Sequence, residues 1–128
     1  MINSILIGKT IYNLLNNSEE LKQYVGNKIY PLVADNDVSY PFIVYSRTGV
    51  TNTICKDGYY EDDVNFSIIV VSNKYIDSLD IANIVRGIFN KQKLDKNIYN
   101  VSLDDIDENF TNDAYIQQLY FSCKVNNN

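Results

Sequence analysis

The sequence predicts an α+β fold, a mainly antiparallel sheet with one long helix and N-terminal helices packed on it. Three observations carry this expectation. Apolar side chains recur at helical spacing from Tyr75 to Phe89. Val64, Phe66, Ile68 and Val70, and later Leu119, Phe121, Cys123 and Val125, alternate with the two-residue period of a strand. The predicted order is helix, short helix, three strands, helix, two strands. Strands grouped in this way, rather than alternating strictly with helices, belong to an antiparallel sheet covered by helices.

Each element has a local justification. Ile7, Ile11, Leu14 and Leu15 predict a helix from about residue 4 to 16, with Ser4 as a possible cap. Asn17 or Ser18 then starts a short helix whose first turn holds Glu19 and Glu20, where the helix dipole favours acids, and Gly26 ends it. Pro31 and Pro41 are the only prolines, so each is expected at a strand edge: one short strand stops at Pro31 and another starts at Pro41. Asp57-Gly58 signals a tight turn, predicting a projecting hairpin before a strand from about Asp63 to Ser72. Ile69 and Val71 make the end of that strand apolar on both faces, which predicts a central strand with cover on each side.

The helix from Tyr75 to Phe89 carries one stripe of Tyr75, Leu79, Ala82, Val85 and Phe89 and a second of Ile81, Ile84 and Ile88. The second stripe is read either as further core or as a subunit contact. Tyr99, Val101 and Leu103 predict a strand. The acidic run Asp104 to Asp113 is expected as a solvated loop anchored by Phe110, and the final strand as half-solvated with a fraying tail at Asn126-Asn127-Asn128.

Length and composition limit the functions available. A chain of 128 residues is expected to form one domain, 1–128, burying roughly two-thirds of its unfolded surface without metal or disulfides. Cys55 and Cys123 have neither metal-ligand nor framework spacing and read as two free thiols. The start of the chain lacks a basic region and a cleavage site, so cytoplasmic synthesis is expected and no membrane partner. The net charge is −5 and the sequence pI about 4.5, and the basic side chains are scattered apart from Lys91, Lys93 and Lys96. A nucleic-acid grip needs a basic face, and none is legible here.

The chain contains no histidine. This removes the usual general base near neutral pH, the Ser-His and Cys-His nucleophile pairs and the commonest zinc ligand. The five glycines are isolated, so no phosphate-cradling loop is present. Asp105, Asp107, Asn109 and Thr111 fall at positions 1, 3, 5 and 7 of a calcium loop, but Phe110 stands where glycine is needed and Ile116 where a bidentate Glu should close the site. No catalytic residue, metal site or cofactor is therefore expected. Eleven tyrosines, among them Tyr59 and Tyr60, suit contact surfaces instead.

Val25-Gly26-Asn27-Lys28-Ile29-Tyr30-Pro31 followed by Tyr40-Pro41-Phe42-Ile43-Val44-Tyr45 resembles the tail-completion family of tailed bacteriophages. That family is similar in fold to tail-terminator (head-tail joining) proteins, and the resemblance extends along essentially the whole chain. It implies a non-enzymatic virion subunit that forms a homo-oligomeric ring, six copies favoured and twelve possible. The ring would cap the tail tube at the head-tail junction, meet tail-tube and neck or connector proteins and let DNA pass without specific binding. The host cytoplasm would hold the protein before assembly. The acidic, Asn-rich region from Asp95 to Asp113 departs from the family pattern. Within this reading Tyr59, Tyr60, Ile81, Ile84 and Ile88 are candidate subunit contacts, and Asp57, Glu61, Asp62 and Asp63 are candidate lumen-facing acids that would repel phosphate. Alternatives are another neck or connector ring protein, or a small acidic binding module unrelated to virions.

Overall fold

In the computed structural model, which describes residues 4–54 and 60–127 (residue 60 by its backbone), the helices form one layer over a six-stranded sheet. A short 3-10 turn, Ser4–Leu6, leads into α1 (Ile7–Asn16), followed by α2 (Glu19–Val25). Ser4 does not cap α1 as its sequence position suggested; the residue before the helix is Leu6, with no side-chain cap. Ser18 does cap α2, its Oγ accepting from the Leu21 N–H at 3.3 Å. Gly26 closes that helix at φ 59°, a conformation in which an L side chain is strained.

The strands are β1 (Ile29–Pro31), β2 (Phe42–Ile54), β3 (Tyr60–Ser72), β4 (Lys93–Asp95), β5 (Ile98–Thr111) and β6 (Ala114–Asn126), in spatial order β1-β2-β3-β6-β5-β4. Among the described residues only the β1–β2 pair is parallel. The fold is α+β, as the grouping of elements predicted. Both prolines sit at strand edges: Pro31 ends β1, and Pro41, after a cis bond from Tyr40, immediately precedes β2. β3 lies between β2 and β6 and so is central in strand order, but the helices cover only its Val64-to-Val70 face rather than both faces as expected.

α3 (Tyr75–Phe89) packs across β3 and β6. Phe89 meets Phe66 and Phe121 with ring centroids 5.5 and 5.2 Å apart, and Phe66 stacks on Phe121 at 5.1 Å. This aromatic trio is continuous with Ile7, Ile11 and Leu15 of α1, Leu21 and Val25 of α2, and the inward residues of β2, β3 and β6. One core thus joins all three helices to one face of the sheet.

Three other expectations need correction. The strand beginning at Pro41 is not short: β2 has 13 residues and carries a bulge between Arg47 and Gly49. The acidic run is not a loop, because Asp104 to Thr111 continue β5 as its outer half. Asn112 and Asp113 alone make the turn, at φ 52° and 61°, the backbone that a two-residue type I′ hairpin requires and that Asn and Asp tolerate. Residues spaced for a calcium loop are therefore drawn out along an extended strand. β4 was missed altogether, since three residues after a helix give no periodicity to read.

Candidate functional site

The candidate lumen acids separate into different environments. Asp62 is buried on the helix side of the sheet, only 7% exposed. Its carboxylate accepts hydrogen bonds from Asn52 Nδ2 at 2.7 Å, from Asn127 Nδ2 at 2.8 Å and from Ser4 Oγ. Burial pushes its pKa up, but the three donors together outweigh that effect and hold it below the ordinary aspartate value. Asp62 is thus a structural clamp that joins the chain's first turn, the β2–β3 ladder and the residue after β6. The Ser4 N–H also donates to Asn127 Oδ1 at 3.1 Å, so the tail expected to fray is held as far as Asn127.

Glu61 and Asp63 lie on the opposite, open face of the sheet. Lys124 bridges them, with Nζ 2.9 Å from Asp63 Oδ1 and 3.6 Å from Glu61 Oε2. The hydrogen bond to Asp63 and the nearby Glu61 raise the Lys124 pKa against a smaller desolvation effect. Asp105 and Asp107 share this face through their registers with Tyr120 and Gln118, and Tyr120 donates its hydroxyl to Asp107 at 3.1 Å. On β3, β5 and β6 the open face carries these four carboxylates against Lys124, with Lys93 of β4 at the far edge. Asp57 lies outside the described residues.

The candidate contact residues also divide. Ile81 is fully buried in the chain's own core, which removes it from any contact with a neighbour. Ile84 and Ile88 are half-buried against the same core. Tyr59 and the side chain of Tyr60 lie outside the described residues.

Exposed apolar groups lie on the outer half of β2, at Val50 and Ile54, and at the two ends of the sheet. At the β1 end an open cleft of about 470 Å³ lies between α1 and β1, lined by Ile5, Tyr12, Pro31 and Tyr45. Leu32 and Val33, about 75% exposed, follow directly on β1. Among the described residues Lys9 and Arg47 are the charged groups lining this region, and no carboxylate lines it. At the other end Phe110 (56% exposed) packs on Tyr115 with centroids 4.8 Å apart, and Tyr115 on Tyr75 of α3 at 5.5 Å. Ile76 and Ile106 are exposed nearby in sequence on α3 and β5. Glu108, bonded by Gln117 first and then by Tyr75, is held below the ordinary glutamate value.

Sequence reasoning missed Ile5, Leu32, Val33, Ile76 and Phe110 as surface groups. The available signal was negative: each falls off the apolar period of its element or in a connection. Among the described residues no group of three or more potential metal ligands occurs, and no buried side-chain polar atom lacks a hydrogen-bond partner. No helix is long and apolar enough to cross a membrane among the described residues.

These features define a two-layer α+β protein whose unsatisfied chemistry lies at its surfaces. In a comparison of solved structures it is similar to a chain described as "Virion of native gene transfer agent (GTA) particle", with a TM-score of 0.77, 15% identity and 91% of each chain covered. No family model and no curated protein matches the sequence.

Proposed function

We propose that this chain is a non-enzymatic structural protein of a phage-like virion, the subunit of a six-copy ring at the head-tail junction. The ring caps the tail tube, meets the neck or connector proteins and lets DNA pass. The observation that carries this reading is the shared fold over 91% of both chains with a gene transfer agent virion chain. The resemblance of Val25–Pro31 and Tyr40–Tyr45 to tail-completion proteins supports it from the sequence side.

The acidic open face gives the reading a physical rationale. A lumen lined by Glu61, Asp63, Asp105 and Asp107 repels phosphates, so passing DNA is not retained by the counterion release that drives binding to basic surfaces. Asp62 takes no part, being enclosed by its three donors.

The test is electron microscopy of the purified chain alone and with tail-tube protein, together with antibody labelling of intact particles. Rings with an open centre and label at the neck are expected. Monomers under all conditions, or particles without label, would overturn the proposal.

A further inference from the structure

We infer that copies of this chain associate head to tail, the β5–β6 hairpin of one seated in the α1–β1 cleft of the next. The inference rests on the assembly reading above and names the contact that would build it. The two surfaces lie at opposite ends of the sheet, with β2, β3 and β6 between β1 and β5. Four strand spacings of about 4.8 Å separate them by roughly 19 Å, so they serve two different neighbours. A contact between unlike patches repeats from copy to copy and closes into a ring when the rotation allows.

The two surfaces both expose apolar groups and are opposite in charge. The hairpin presents Phe110 and Ile106, both exposed, and an aromatic group in a cleft is the usual energetic centre of such a contact. The cleft between α1 and β1 is apolar and open, with Ile5 and Leu32 exposed at its rim. Between Lys96 and Lys124 there is no basic residue, and Glu108, on the same face as Ile106 and Phe110, and Asp113 of the turn are acidic. Lys9 and Arg47 at the cleft make no ion pair with any described residue; the described ion pairs are those of Lys124. Arg47 donates instead to the Ser4 carbonyl at 3.1 Å, which holds its charge at the cleft. Opposite charge flanking an apolar centre sets orientation and disfavours a hairpin-to-hairpin pairing, where acids would face acids.

The experiment is sedimentation of the full chain and of two exposed-site variants, Phe110→Asp and Leu32→Asp, with circular dichroism to confirm folding. Leu32 sits at φ 64°, which Asp tolerates, so this substitution leaves the backbone undisturbed. Each variant alone should associate at least about thirtyfold more weakly than the natural chain. Mixed, they should form one-to-one dimers and nothing larger, because the Leu32→Asp hairpin and the Phe110→Asp cleft remain intact. Natural oligomers that survive both substitutions, or a mixture that gives no dimer, would overturn the contact while leaving the ring reading standing. A natural chain that stays monomeric alone and with tail-tube protein would overturn the assembly reading itself.

Discussion

Asp62 shows how far one residue's role depends on its neighbours. Four acids, Asp57, Glu61, Asp62 and Asp63, stand close together in sequence, yet strand alternation turns Asp62 inward and its two neighbours outward. Replacing Asp62 by Asn leaves three donors converging on one acceptor oxygen and an amide where a carboxylate stood. The expected cost is about 1–3 kcal/mol, read from urea unfolding at pH 7. The folded pKa of Asp62 is depressed, so its stabilisation is present above the unfolded value near 3.9 and is lost as pH falls through the lower folded value. The gap between the natural chain and Asp62→Asn should therefore narrow in acid; a constant gap down to pH 2 would contradict the clamp. Cys123 gives a second test. Burial, and secondarily Asp63, push its thiol up to about 12. In a Cys55→Ser chain, Cys123 should not react with a thiol reagent at pH 8 until the protein unfolds. Its contribution to stability should be complete below the unfolded thiol pKa of about 8.5 and decline above it, since the unfolded chain alone ionises there.

At the scale of elements, α3 places one isoleucine in the core and another in solvent. Ile81 is fully buried and Ile76 is 64% exposed, although both are isoleucines on the same 15-residue helix. Ile81→Ala should cost about 2–5 kcal/mol, whereas Ile76→Ala should change stability by less than about 0.5 kcal/mol. Equal losses in thermal melts would show the helix to be docked on a different face. The β5–β6 hairpin is the other informative element. Its outer half, Asp104 to Thr111, is exposed on both faces, so no core constrains its side chains and its acids carry no cost of burial. The same acids discourage uncontrolled pairing along the edge that β5 presents beyond its short pairing with β4.

For the whole molecule, charge makes the clearest prediction. A net charge of −5 and an acidic open sheet face should keep duplex DNA unbound in gel-shift experiments even at low salt, where electrostatic binding is strongest. A retained complex that dissolves on adding salt would place a basic surface where the lumen is proposed to be acidic. Association should also raise apparent stability with protein concentration, because only folded copies present both ends of the sheet.

The helices, the central strand and both proline-marked edges were legible before any coordinates, because each is written in local periodicity or in a residue with a restricted backbone. Ile7, Ile11 and Leu15 recur at helical spacing, Val64 to Val70 alternate, and Pro31 and Pro41 cannot sit in the middle of a ladder. The resemblance to a phage assembly family also rested on such a local run. What remained hidden was long-range. That Asp62 meets Ser4 and Asn127, partners 58 and 65 residues away, and that Phe110 and Leu32 lie at opposite ends of one sheet, depends on strand order. Periodicity tells a side chain which face of its own element it occupies, but only the packing of distant elements decides whether that face is core, clamp or surface.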